Sequence, residues 1–296
     1  LIVLSLDYRQ KMKVGAWGFV LPIILLHAFA IVIPAGAGIF YSFTSFSGIG
    51  EANWIGLENY SRLIGDESFH AALLNNLKWL LFFWTVPFSL AILAASLLAQ
   101  VKRGAMLYRV VFFIPYVLPS VVVGSLWRFL LHPDDGLPGL ASTLGIPGFE
   151  LALLGRSETA LWTVAFVDNW HYWGFLAAIL LVAMQGVSKE LYEAARLDGA
   201  NYFHQLIHVT IPGIRPTLVF MFLMTGIWSF LVFDYVWVMT GGGPAGSSEV
   251  IGTFIYRTAF QNFEVGYAAA QGVAVASIAI TILILFSLLR KRGWEI

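Results

Sequence analysis

The chain alternates between long stretches in which nearly every position is apolar and short stretches rich in charge, glycine and proline. Six apolar stretches, about 17–40, 77–100, 108–131, 161–185, 217–240 and 267–289, are long enough to cross roughly 30 Å of hydrocarbon as helices of about 20 residues. The first is too long for a secretory signal and lacks its small-residue cleavage pattern, so it reads as a retained helix. The outer connections, about 41–76, 132–160 and 241–266, are too short for a separate folded domain, which predicts one membrane domain over 1–296. Pro22, Pro34, Pro87, Pro115 and Pro119 fall inside the first three spans. Each removes a backbone donor, and they read either as ordinary membrane-helix prolines or as kinks that shape a central cavity.

Composition sharpens the class. Of 296 residues 59% are hydrophobic and 11% charged, with mean hydropathy +0.79, against ~25% charged in soluble domains. A water-soluble globule is excluded. The 17 Lys and Arg balance 17 Asp and Glu, so nothing points to nucleic acid, and with no Cys there is no thiolate metal site or thiol chemistry. Twelve of the 17 basic residues fall on one side of the six-span topology: Arg9, Lys11 and Lys13; Lys102, Arg103 and Arg109; Lys189, Arg196 and Arg215; Arg290, Lys291 and Arg292. Basic residues beside short loops accumulate on the cytoplasmic face, which predicts that both termini are cytoplasmic. The opposite loops carry acids such as Glu51, Asp66, Asp134, Glu150 and Glu264.

The most informative connection is about 187–215, between the fourth and fifth spans. It predicts a short amphipathic surface helix with Ser188 as N-cap, Glu190 in the first turn, Glu193 three residues before Arg196, and a left-handed stop at Gly199. Ala194 and Ala195 leave one side smooth, and Leu191 and Tyr192 offer apolar anchors for a partner's groove. A second short helix is predicted over about 201–209, and Pro216 suits the first turn of the fifth span.

Here the chain resembles a known family. Glu193-Ala194-Ala195, three residues, Gly199, nine residues, then Val209-x-Ile211-Pro212 is similar to the EAA loop of membrane subunits of bacterial binding-protein-dependent ABC importers, with Val for Ile and Ile for Leu as mild departures. Asp234-Tyr-Val-Trp-Val-Met-Thr-Gly-Gly-Gly-Pro244, with Gly266-Tyr267-Ala268-Ala269-Ala270 and Ile114-Pro-Tyr-Val-Leu-Pro119, resembles the carbohydrate-importer branch. The ending Leu289-Arg-Lys-Arg-Gly-Trp294 is similar to the first membrane subunit of maltose and glycerol-3-phosphate importers. The resemblance implies an all-α type I importer permease with six transmembrane helices in the bacterial inner membrane. It further implies a heterodimer with a second permease subunit, with a homodimer as the alternative, two ATP-binding subunits and an extracytoplasmic solute-binding protein, and a sugar, oligosaccharide or polyol derivative as solute. Glu190, Glu193, Ala194, Ala195, Asp198 and Gly199 would couple to the ATPase. Registering the chain on the branch's two motifs places sugar contacts near His171, Tyr172 and Phe175 on the fourth span and Thr225, Trp228, Ser229 and Val232 on the fifth. The last four share one helix face by spacing, although Trp228 and Tyr172 also read as packing against the sister permease.

Other chemistry has little support in the sequence. Gly241-Gly242-Gly243-Pro244 lacks the Gly-Lys-Ser/Thr of a phosphate loop, so ATP hydrolysis belongs to other chains and no cofactor is expected. His204 and His208 have zinc-ligand spacing but Gln205 stands where a zincin has Glu and no third ligand is evident, so no metal is expected. No G-x-S-x-G or H-E-x-x-H argues for an intramembrane enzyme. The rival class is a stand-alone secondary transporter or channel for a small polar solute, which would want internal repeats or intramembrane charge pairs. The sequence offers two deep acids instead. Asp168 sits among Asn169, Trp170, His171, Tyr172 and Trp173, and Asp234 lies near the outer end of the fifth span, solvated or paired with a basic group. Lys78, Arg128 and His27 suit snorkelling or local hydrogen bonding.

Overall fold

The computed structural model describes residues 7–101, 103–146 and 152–291. Lys102, Glu150, Arg292 and the closing Gly293-Trp294 lie outside them. All regular elements among the described residues are helices, apart from one antiparallel bridge between Thr44 and Trp54. Five helices are long and apolar enough to cross a membrane, and six if one bent pair counts as a single span, so the six predicted apolar runs all appear.

The chain divides into two compact units. The first comprises Leu1–Gly65 with Arg257–Ala274. It opens with α1 (Tyr8–His27), which passes through a π segment at Ala28–Val32 into α2 (Ile33–Tyr41). Pro34 sits at the start of α2, where it has no N–H to return to the preceding turn; the wider π turn lies immediately before it. A short amphipathic helix, α3 (Glu58–Gly65), follows. From it the buried Asn59 amide donates to the carbonyls of Ser42 and Thr44, both at 2.9 Å, closing the loop that carries the Thr44 bridge. Arg62 makes a two-pronged contact with Glu264 at 2.9 Å and covers the Tyr267 ring at 4.0 Å.

The second unit comprises Asp66–Tyr256 with the rest of the last helix. Its longest helix is α4 (Glu67–Leu98), which begins about ten residues earlier than the apolar run predicts because the Asp66 side chain caps it, accepting from the N–H groups of Ser68 and Phe69. The third span departs most from a simple rod. It breaks into α5 (Ala105–Val117) and α6 (Ser120–Leu130), bent by 93° at Leu118-Pro119. Pro115 and Pro119 remove two donors within five positions, and Leu118 is forced to the extended ψ of 142° that a residue before proline prefers. A short α7 (Leu137–Thr143) lies in the next loop. Then α8 (Ala160–Gln185) packs against α4, α5 and α6.

The loop helices α9 (Lys189–Leu197), α10 (Tyr202–Gln205) and α11 (Ile211–Gly213) follow, with π turns at Leu206–Thr210. The fifth span is also divided: α12 (Arg215–Leu231) ends at a break over Val232 and Phe233, and α13 (Asp234–Met239) resumes. Pro216 occupies the first turn of α12 as expected. After the glycine-rich turn come α14 (Ile251–Tyr256) and the last helix, α15 (Val265–Lys291).

In hydrocarbon the packing of helices rests on close contact and hydrogen bonds rather than on removal of apolar surface from water. The core of the second unit shows both. Ala91, Ala95, Ala165 and Ala177 are buried and leave room for Trp79, Phe88, Leu176 and Leu180. At the α5–α8 crossing the backbones nearly touch, since a Cβ on Gly174 would lie 1.8 Å from the Phe112 carbonyl oxygen.

Candidate functional site

Where α4, α8 and α12 face one another, the second unit forms a half-open cavity of about 50 Å³, lined by Trp79, Phe83, Asp168, Tyr172, Thr225, Trp228 and Ser229. Four of the residues marked in the sequence as solute contacts, Tyr172, Thr225, Trp228 and Ser229, therefore come together on one wall. Tyr172 and Thr225 share a hydrogen bond at 3.2 Å, and the Ser229 hydroxyl donates to the Thr225 carbonyl at 2.8 Å. Trp79 stacks on Phe83 at 5.8 Å, Phe83 meets Tyr172 at 5.9 Å, and Tyr172 meets Trp228 edge-on at 5.5 Å, so aromatic surface runs continuously from α4 to α12. Trp228 stays 41% exposed while Thr225 and Ser229 are buried.

His171, Phe175 and Val232 are not on that lining. The His171 ring bonds the Leu118 carbonyl at 3.0 Å and lies between Tyr116 and Tyr235. Phe175 stacks on Tyr116 at 4.2 Å. Both thus turn from α8 toward the elbow of α5 and α6, and Val232 belongs to the break that ends α12.

The α4 residues Trp79 and Phe83 escaped the sequence reading, as did the two amides one turn before them. Asn76, fully buried, donates to the Ser229 carbonyl at 2.6 Å and accepts from the Ile251 N–H at 2.8 Å. Asn75 donates to the carbonyls of Ser247 and Glu249 at 3.0 and 2.9 Å. Adjacent amides in an apolar run were the available signal, because such groups are costly in hydrocarbon unless they bond. Asp168 is half-buried at the cavity, with the Trp79 side chain as a hydrogen-bonding neighbour. Asp234 is exposed, as the solvated position considered for it has it, and accepts a hydrogen bond from the Ser120 hydroxyl. Arg128 donates to the Val238 carbonyl at 3.0 Å, and Lys78 to Asn75 Oδ1 at 3.3 Å.

At one end of the bundle, α9 presents the exposed residues Glu190, Glu193, Ala194 and Asp198, with Ala195 half-buried. Gly199 ends it at φ +80°, and the Ala200 N–H reaches back to the Ala195 carbonyl at 2.9 Å, the hydrogen-bonded stop that a left-handed residue permits. Ser188 stands at the N-cap position, but its hydroxyl bonds the Glu190 carboxylate instead of a backbone N–H, holding that carboxyl below its usual range. Tyr192 is likewise not a free anchor: its hydroxyl bonds Thr210 Oγ1 at 3.0 Å and ties α9 to the π turns. The exposed apolar residues of α9 are Leu191 and Leu197, the latter 90% exposed. Tyr202 bonds Ser96 at 2.8 Å, and a cavity of about 910 Å³ opens between the ends of α4 and α8 and this loop. His204 and His208 are engaged locally, with Asn201 Oδ1 and the His204 carbonyl.

A helical membrane protein with a polar-aromatic cavity among its spans and an exposed, turn-locked helix at one end has the build of a transport permease. A family model described as the binding-protein-dependent transport system inner membrane component matches residues 88–292. The chain is 33% identical to the probable ABC transporter permease protein YurN of Bacillus subtilis, over 96% of this chain and 97% of that one. It is 34% identical to the diacetylchitobiose uptake system permease protein NgcF of Streptomyces coelicolor, over 88% of this chain and 78% of that one. The fold is similar to a crystal structure of a bacterial ABC transporter involved in the import of the acidic polysaccharide alginate, with TM-score 0.83, 23% identity, and coverage of 96% and 97% of the two chains. This chain belongs to the binding-protein-dependent ABC importer permeases. That membership decides against the stand-alone transporter or channel.

Proposed function

We propose that this permease forms half of the pathway for a sugar, oligosaccharide or related polyol derivative, with Tyr172, Thr225, Trp228 and Ser229 as its solute-contacting wall. The observation that carries the reading is their convergence with Trp79 and Phe83 on one cavity. Flat aromatic faces suit pyranose rings, and the hydroxyls of Thr225 and Ser229 match those of a saccharide. At about 50 Å³ the cavity is far below the ~300–1,000 Å³ of complete small-molecule sites, which suits one wall of a site finished by a second permease. The names of the relatives agree with the solute class: besides NgcF, a multiple sugar-binding transport system permease of Streptococcus mutans is 30% identical over 87% of this chain. Phe175 packs on the Tyr172 ring, His171 faces the elbow of α5 and α6, and Val232 lies in the helix break that ends α12.

In this reading residues 1–296 act as a single permease domain with both termini in the cytoplasm. A sister permease completes a heterodimer, two separate ATP-binding subunits hydrolyse the nucleotide, and an extracytoplasmic solute-binding protein delivers the solute. The α9 face bearing Glu190, Glu193, Ala194, Ala195 and Asp198, aimed by Gly199, sits in a groove of one ATP-binding subunit and passes its closure to the spans as a population shift. Trp228→Ala or Tyr172→Ala should lower uptake and solute-stimulated ATPase together, while the binding protein's affinity for free solute is unchanged. Full uptake by both variants with unaltered preference would refute the assignment.

A further inference from the structure

The seven residues that line the α4–α8–α12 cavity include one carboxylate, Asp168, and no Lys, Arg or His. Three basic residues of the spans around it are engaged elsewhere: Arg128 of α6 serves the Val238 carbonyl, Lys78 of α4 serves Asn75 on its own helix, and His171 of α8 bonds the Leu118 carbonyl. A carboxylate beside aromatic rings accepts two hydrogen bonds from neighbouring hydroxyls and attracts an ammonium group. A carboxylate or phosphate on the solute would instead enter a desolvated space beside a like charge, with no cation on this wall to offset it.

We propose that Asp168 is a specificity-determining residue that makes this permease a carrier of neutral or amino-substituted saccharides and turns away uronic acids and sugar phosphates. This inference rests on the reading of the cavity as the solute site. The carboxylate lies on the same face of α8 as Tyr172, one turn away, so a ring seated on the wall that Tyr172 and Trp228 form together presents its edge hydroxyls to Asp168. Trp79 borders the same cavity from the α4 side. Discrimination therefore resides in this subunit as well as in the binding protein that delivers the solute.

The test removes the binding protein, whose own preference would mask that of the permease. The assembled importer in nanodiscs is titrated with cellobiose, chitobiose carrying free amines, and digalacturonate, using ligand-observed saturation-transfer NMR, which reads weak binding. Chitobiose and cellobiose should bind the wild type, and digalacturonate should bind about tenfold more weakly or worse. Asp168→Asn, nearly isosteric, should bring the three within about threefold of one another, and Asp168→Lys should favour digalacturonate. Trp228→Ala should weaken all three, which locates the binding. Digalacturonate binding the wild type as well as cellobiose, or discrimination surviving Asp168→Asn, overturns the role of Asp168 and leaves the site standing. Binding that is absent for every probe, or indifferent to Trp228→Ala, overturns the site itself and this inference with it.

Discussion

Replacing Asn76 by Ala tests whether a single amide holds the proposed solute wall in place. The α12 ladder stops at Leu231, so the Ser229 carbonyl has no helical donor four residues on, and the Ile251 N–H, first in α14, has no helical acceptor. Asn76 serves both, at 2.6 and 2.8 Å, from a fully buried position. Asn76→Ala strands two buried backbone groups, each costing about 1–3 kcal/mol. Because the two losses share one cavity and add incompletely, a net destabilisation of ~3 kcal/mol is expected, a fall in Tm of roughly 6–12 °C. Asn76→Asp keeps the acceptor for Ile251 but loses the donor to Ser229, so it should not rescue. The assay is thermal unfolding of the purified importer by intrinsic fluorescence, run beside uptake in proteoliposomes, which should fall because Ser229 and Trp228 ride on the loosened end of α12. A Tm within about 2 °C of wild type would show that these backbone groups find other partners and that the clamp is not what shapes the wall.

Three further outcomes follow from the geometry. Gly174→Ala should push α5 from α8, since its Cβ would stand 1.8 Å from the Phe112 carbonyl oxygen; a loss of about 3 kcal/mol or more should appear as poor assembly by size-exclusion chromatography, and normal assembly would contradict the close crossing. Gly199→Val places a β-branched residue at φ +80°, and Glu193→Lys reverses charge on the exposed face of α9; both should abolish uptake while the permease still inserts, and normal uptake at normal abundance by either would remove the coupling role. Reporter fusions after Asp134 and Gly246 should report the outer side and those after Arg103 and Asp198 the cytoplasm, as the clustering of basic residues requires, and the reverse pattern would overturn the orientation.

What the sequence disclosed, and what it hid, follows from the range of the interactions involved. The spans were legible because hydrocarbon thickness demands a long apolar run, and the α9 stop because a single glycine carries the whole turn. Ser188 was placed correctly as N-cap, but its hydroxyl turned to Glu190, a choice between two neighbours that spacing does not make. Tyr192 looked like an outward anchor because helical spacing names a face without saying what lies opposite; the Thr210 hydroxyl lay opposite. Prolines marked the α5–α6 elbow, yet no Gly or Pro announces the break at Val232 and Phe233, beside which Asn76 serves the Ser229 carbonyl from 153 positions away. The lining of the α4–α8–α12 cavity was half legible for the same reason. Its α8 and α12 residues could be registered on local motifs, whereas Trp79 and Phe83 join it only through the relative rotation of α4.

The near-contact at Gly174 divides one helix into two kinds of sequence space. Position 174 admits no side chain without moving a neighbouring backbone, while Asp168 and Tyr172, six and two residues earlier on the same helix, line the cavity. On the proposed assignment of that cavity to the solute, a lineage can exchange its cargo by substitution at Asp168 without renegotiating the architecture that positions it, and the freedom to diversify there is underwritten by the immobility of Gly174 further along the same helix.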